Sequence, residues 1–218
     1  MLKSIPINIY TLSIGMIWLF HVSGILGIIY GNAQWFVEAT PINLGLSFVL
    51  LLIQGRAELK FFGVALLCFF VGMGAEWLGV NRGLIFGQYQ YGAMLGPKFM
   101  GVPWLIGANW VIVVFCTGMI AKGISQSYWV RAIGATALML FLDALIEPIA
   151  PVLDFWTFEG GLAPLQNYMG WFAVAFPLQL VFHFSKLRSG GWFFQNLYLL
   201  QVLFFTILLL RLNSLPNL

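Results

Sequence analysis

The chain has 218 residues, of which 61% are hydrophobic and 8% charged, with a formal net charge of +3. Soluble domains carry roughly 25% charged residues. So few charges cannot clothe a water-facing surface over 24.4 kDa, and lipid must cover much of the chain. The basic residues form no run, and their excess is too small and scattered for a nucleic-acid surface.

One helical span needs about 20 residues, so the length fits six to eight spans in a single membrane domain, 1–218. Backbone groups cannot be left unpaired in lipid, and apolar runs of this length read as helices rather than barrel strands. The expected class is therefore an all-α polytopic membrane protein. Seven apolar stretches emerge in chain order: 9–30, 41–54, 61–80, 103–121, 129–149, 168–185 and 193–212. Lys3 is followed by an apolar run too long for a signal-peptide core, with no small-residue cleavage site, so the first stretch reads as a span. The second is short; it either begins earlier, near Trp35, or is a tilted partial span. Cys68 and Cys116 lie inside apolar runs, where free thiols pack as small hydrophobes. There is no internal repeat.

If every stretch crosses, Lys3, Arg56, Lys60, Lys122, Arg131, Lys186 and Arg188 fall on one side, and only Arg82, Lys98 and Arg211 on the other. The excess marks the cytoplasmic side and places the N-terminus there. Glu38, Asp154 and Glu159 then lie in far-side loops. Two of those loops are more than connectors. Residues 81–102 carry glycines at 83, 87, 92, 96 and 101, with Phe86, Tyr89 and Tyr91 between them. Residues 150–167 have the same character. Such segments are too glycine-rich for helices and too aromatic for solvated linkers. Long ordered loops are usually functional; the alternative is a pair of interfacial loops held by an aromatic belt. The Gly83–Gly87 spacing falls in a loop and is not read as a helix-dimer motif.

Charges inside spans are costly and tend to face a cavity or a partner. Three acids stand in spans: Glu76 near the far end of the third, and Asp143 and Glu147 in the far half of the fifth. The last two are four residues apart and share one helical face, and Pro148 then stops or bends the helix. At about 1.5 Å per residue, Glu76 lies about 22 Å along its span, and Asp143 and Glu147 about 21 and 27 Å along theirs. All three sit at similar depth near the two unusual loops, and Arg82, which opens the first loop, is a candidate ion-pair partner. The arrangement predicts either a chemical site or a polar network that staples the two spans. A carboxyl group in a poorly hydrated site resists ionisation, more so beside a like charge, so one of the Asp143–Glu147 pair is a candidate general acid. Trp77, Tyr89, Tyr91, Trp110, Trp156 and Trp171 are candidates for stabilising a carbocation with their π faces, or for interface anchors.

The other polar residues point less sharply. His21 lies mid-span and His183 near the cytoplasmic end of the sixth span. Two histidines cannot build a multi-histidine di-iron centre, and His21 is expected to pair with a neighbouring helix. Asn109, Asn167 and Gln166 either orient water or a carboxyl group, or glue helices together. Retinal would need a Schiff-base lysine in the last span, and 193–212 contains none.

Three blocks of sequence resemble a known family, the membrane-integral carotenoid biosynthesis proteins, which include carotenoid 1′,2′-hydratases and bisanhydrobacterioruberin hydratases. Residues 76–110, EWLGVNRGLIFGQYQYGAMLGPKFMGVPWLIGANW, are similar to its run of Glu-Trp-x-Gly-Val, Gly-x-x-Phe-Gly-x-Tyr-x-Tyr, Leu-Gly and Gly-Val-Pro. Residues 143–151, DALIEPIAP, resemble its Asp-x-x-x-Asp/Glu-Pro, and residues 164–172, PLQNYMGWF, its Pro-Leu-x-Asn-aromatic-x-Gly-Trp. Arg82 stands where that pattern has a small or hydroxyl residue.

The resemblance implies hydration of the terminal double bond of a ψ-end group, as in γ-carotene or lycopene, without metal, redox cofactor or oxygen. Asp143 or Glu147 would donate the proton, with Glu76 holding charge or positioning water. Trp77, Arg82, Tyr89, Tyr91, Asn109, Trp110, Trp156, Asn167 and Trp171 would form the substrate site. The implied setting is a prokaryotic cytoplasmic membrane, with a lipophilic carotenoid, membrane lipid and other enzymes of the pathway as partners. The competing readings are an end-group cyclase or isomerase that shares the protonation step, a non-catalytic carotenoid-binding protein, and a transporter using the acids as a relay.

Overall fold

The computed structural model describes residues 8–188 and 191–212; Lys3 lies outside them. Among these residues eight helices carry the fold: α1 Ile9–Tyr30, α2 Ala33–Glu38, α3 Thr40–Ile53, α4 Leu59–Arg82, α5 Trp104–Ala121, α6 Tyr128–Ile146, α7 Leu165–Phe184 and α8 Trp192–Leu210. Asn8 caps α1 by accepting from the Tyr10 and Thr11 amides. Asn32 caps α2 by accepting from the Trp35 amide. Among the described residues six stretches are long and apolar enough to cross a membrane: α1, α2 and α3 together, α4, α5, α6 and α8. The protein is thus a helical, multi-pass integral membrane protein. The stretch expected at 41–54 begins at Ala33 and is broken at Ala39, ahead of Pro41 in the first turn of α3. The 20 residues of α7 match the others in length but include Gln166, Asn167, Gln179 and His183.

The core sits around α5, the most buried of the six stretches. It packs against α3, α4, α6, α7 and α8, while α1 leans on α8 and α3. A helix that is apolar all round belongs inside a bundle, and α5 buries residues on every face. The outer surface is equally apolar: Leu19 and Leu26 on α1, Leu66 and Phe70 on α4, Ile133 and Phe141 on α6, and Leu210 on α8 are exposed. So large an apolar surface is a lipid-facing one. Both cysteines are buried and free.

The two glycine- and aromatic-rich loops add short strands to the helical class. Strand β1, Tyr89–Tyr91, from the first loop pairs antiparallel with β4, Trp156–Phe158, from the second. The register sets Tyr89 opposite Phe158 and Tyr91 opposite Trp156. Successive strand side chains point to opposite faces, so these four rings face the helices, while Gln90 and Thr157 are exposed. A second pair, β2 Lys98–Phe99 and β3 Val102–Pro103, leads into α5. Asp154 fastens the loops together: its Oδ2 accepts from the Ala93 amide at 2.7 Å, and the Gly92 amide donates to the Phe155 carbonyl.

Candidate functional site

Glu76, Asp143 and Glu147 line one small cavity, enclosed by α4, α5, the end of α6, α7 and the β1–β4 pair. The rest of its wall is Phe86, Tyr89, Tyr91, Ile106, Asn109, Trp110, Trp156, Phe158, Asn167 and Trp171. Its volume of about 30 Å³ leaves room for roughly one water.

The three carboxyl groups differ in how their oxygens are served. Glu76 is almost fully buried and takes three donors. The Tyr89 and Tyr91 hydroxyls donate to its Oε2 at 2.5 and 2.7 Å, and the Trp110 indole N–H donates to Oε1 at 3.0 Å. An indole nitrogen can only donate, so this cradle is built for an acceptor. Burial and the neighbouring Glu76 carboxylate push both phenols well above their ordinary range, so they remain O–H donors. Glu147 takes two donors: Trp156 Nε1 at 3.2 Å on Oε2 and Asn167 Nδ2 at 3.3 Å on Oε1. Asp143 takes one, the same Asn167 amide at 2.9 Å on Oδ2. Among the described residues nothing donates to Asp143 Oδ1.

Local structure explains these placements. Asp143 and Glu147 are one turn apart at the end of α6, and the chain leaves the helix at Pro148. Asn167, in the first turn of α7, reaches across to both. On α4, Gly72, Glu76 and Gly79 share one face. A Cβ at Gly72 would lie 2.3 Å from the Trp110 ring, and one at Gly79 2.6 Å from the Tyr89 hydroxyl. The missing side chains therefore admit the groups that hold Glu76. Trp110 and Trp171 stack at 4.4 Å between ring centroids, and Phe86 leans on both. Phe86 enters the cavity from a tight turn at Ile85, whose φ of +69° is unusual for a β-branched residue.

Most expected site residues meet here, and two do not. Trp77 is one residue beyond Glu76, about 100° further round α4, and packs against the core without lining the cavity. Arg82, six residues beyond Glu76, is exposed in the last turn of α4 and pairs with none of the three acids. It was expected beside them because it opens the loop, but the helix carries it round to another face. Phe86 and Phe158 line the cavity without having been singled out; the alternation Trp156-x-Phe158 opposite Tyr89-x-Tyr91 was the available signal. His21, expected to pair with a neighbouring helix, sets its ring edge-on against Phe204 of α8 at 6.3 Å between centroids, while its Nδ1 meets the Ile17 carbonyl of its own helix at 2.8 Å.

A second, larger cavity adjoins the first. It has a volume of about 390 Å³, is mainly apolar, and lies between α1, α2, α3, α5 and α8. Ile106, Asn109 and Trp156 line both spaces and form the partition between them. Trp35 and Ile42, both well exposed, also line the larger space and open it toward the lipid-facing surface.

The fold and the two cavities define an integral membrane protein with an acid-lined chamber beside an apolar one. The chain belongs to the carotenoid biosynthesis protein family, whose sequence profile matches residues 39–216. Over 167 residues it is 29% identical to the bisanhydrobacterioruberin hydratase of Haloarcula japonica, covering 71% of this chain and 53% of that protein. The chain thus spans about half the length of that relative. No solved structure gives a significant match to the chain.

Proposed function

We propose that this protein is a carotenoid 1′,2′-hydratase, adding water to the terminal double bond of a γ-carotene- or lycopene-type ψ end. The observation that carries the reading is the junction of the two cavities: an apolar space suited to a polyene shares a wall with a chamber holding three carboxyl groups. The chamber as it stands holds about one water, so Asn109 and Trp156 give way as the polyene end brings its C1′=C2′ bond to the acids. Asp143, with the fewest donors on its oxygens, carries the proton and gives it to C2′. The tertiary cation at C1′ lies among Tyr89, Trp110, Trp156 and Trp171, whose π faces attract positive charge. The Glu76 carboxylate, held by its three donors, supplies fixed negative charge. Water held in the chamber adds to C1′, and the proton released from its oxygen returns to the Asp143–Glu147 pair. One water is gained and the acids are restored. The bundle crosses the membrane seven times, with α7 beside α6 and the chamber near the extracytoplasmic rim, so water arrives from that interface and substrate from lipid.

Expression in a host that makes lycopene or γ-carotene, followed by mass analysis of the pigments, tests this directly. The expected product gains the mass of one water per modified end. A product of unchanged mass with a ring end would identify a cyclase, and unmodified pigment bound to the protein a carrier. Asp143→Asn and Glu147→Gln should each lower hydrated product by at least about tenfold. Full conversion by either variant removes that residue from the mechanism.

A further inference from the structure

The larger cavity is not uniformly apolar, and its polar residues lie on a different wall from the acids. His21 of α1, Asn43 and Ser47 one turn apart on α3, and Gln201 of α8 all line it. Gln201 is 7% exposed. Its Oε1 and the Asn43 Oδ1 are buried, and among the described residues neither accepts a hydrogen bond. His21 meets the Ile17 carbonyl through Nδ1. A carbonyl only accepts, so the neutral ring carries its proton on Nδ1 and leaves Nε2 as an acceptor. Three helices thus bring three acceptors to one wall of a cavity that a pure hydrocarbon would fill without any of them. A buried acceptor left without a donor is destabilising, and the arrangement asks for a ligand that brings one.

We propose that this wall is a subsite for a hydroxyl group carried on the polyene substrate, away from the double bond that the acids protonate. The inference rests on the reading of the cavity as a polyene site, and it deepens that reading by naming an oxygenated substrate class. A hydroxyl donates to Gln201 Oε1, Asn43 Oδ1 or His21 Nε2 and satisfies the wall. A hydrocarbon brings no donor, and neither does a ketone, so the subsite selects hydroxylated polyenes over both. Ordered water is the competing occupant, because water also brings donors to such groups.

The full chain in lipid nanodiscs, titrated with three matched polyenes, separates these cases. One ligand is an acyclic hydrocarbon, one bears a hydroxyl on the half of the chain away from its reactive end, and one bears a ketone at that position. Binding is read by quenching of tryptophan fluorescence, to which Trp35 and Trp156 in the cavity wall contribute. The hydroxylated ligand should bind at least about tenfold more tightly than either of the others. Gln201→Met or Asn43→Leu should bring that ratio toward one while leaving the hydrocarbon's affinity unchanged or improved. Both variants remove a buried acceptor without a donor, so neither should lower thermal stability, and each serves as a check on the other. Equal binding of hydroxylated ligand and hydrocarbon by the unaltered protein would mean that water alone occupies the wall. That result overturns the proposal, as does a preference that survives both substitutions. The readout does not need turnover. Preference for the hydroxyl without any hydration would leave the subsite standing and overturn the catalytic reading instead.

Discussion

The decisive residue-scale feature is the unequal donor supply to three carboxyl groups in one chamber. Glu76 has three donors, Glu147 two and Asp143 one. Donors to a carboxylate favour its charged form, which supports the proposed division into Glu76 as the anion and Asp143 with Glu147 as the proton-carrying pair. Glu76→Gln keeps the volume and an acceptor for the Trp110 indole, and the two phenols can turn to accept from the new amide. It should therefore fold with little change in thermal unfolding and still lower hydrated product at least about tenfold. Normal turnover by that variant would remove the charge from the mechanism. The tyrosines give a pH dependence of defined sign. Their folded-state values lie above the ordinary 10.0 because of burial and the Glu76 charge. Below about pH 10 both folded and unfolded phenols are protonated and the stabilisation is complete; above it the unfolded phenols ionise first. Thermal stability in detergent should fall as pH rises through that range, and Tyr89→Phe or Tyr91→Phe should flatten the fall. The acids were legible in the sequence because charge at membrane depth is costly. The donor pattern was not, because it depends on which rings reach which oxygen.

Among the elements, α4 does most to set the geometry, through a single face that alternates glycine and glutamate. Gly72 and Gly79 flank Glu76 and leave space for Trp110 and Tyr89. Gly63 and Gly74 on the same helix face open space. Alanine is the better helix former by about 1 kcal/mol, so Gly63→Ala and Gly74→Ala should be neutral or stabilising in thermal unfolding. Gly72→Ala and Gly79→Ala place a methyl group inside an aromatic ring or against its hydroxyl. They should destabilise by about 1–3 kcal/mol and reduce hydrated product more than the two control changes. Equal behaviour of all four would mean that the cradle adapts freely. The helices were readable from hydropathy to within a few residues, apart from the break at Ala39. The β1–β4 pair was not, since three-residue strands carry almost no periodic signal and their partners lie far apart in the chain, as Tyr89 with Phe158 and Tyr91 with Trp156 illustrate. Trp77 and Arg82 were misplaced for a related reason: nearness in sequence to Glu76 says nothing about the face of α4 on which a side chain falls.

In the whole molecule, α5 divides the bundle, with acids on its α4–α6–α7 side and the apolar cavity on its α1–α3–α8 side. No stretch of sequence announces that cavity, because it is made by imperfect packing between helices distant in the chain, and its 22 lining residues come from α1, α2, α3, α5, the end of α6, α8 and the loops. In the proposed reaction its contact with the chamber gives the acids access to a lipid-soluble substrate, and that contact runs through Ile106, Asn109 and Trp156. Asn109 is the most informative of the three to change, since Ile106 is part of the buried core and Trp156 also bonds Glu147. Asn109→Phe should fill the passage with a ring while leaving both spaces otherwise intact. The expected result is a protein that still binds polyene, seen as tryptophan quenching in nanodiscs, but forms at least about tenfold less hydrated product. Asn109→Ala, which widens the passage, should retain conversion. If Asn109→Phe hydrates normally, the polyene reaches the acids by another route, and the apolar cavity is not the channel that serves them.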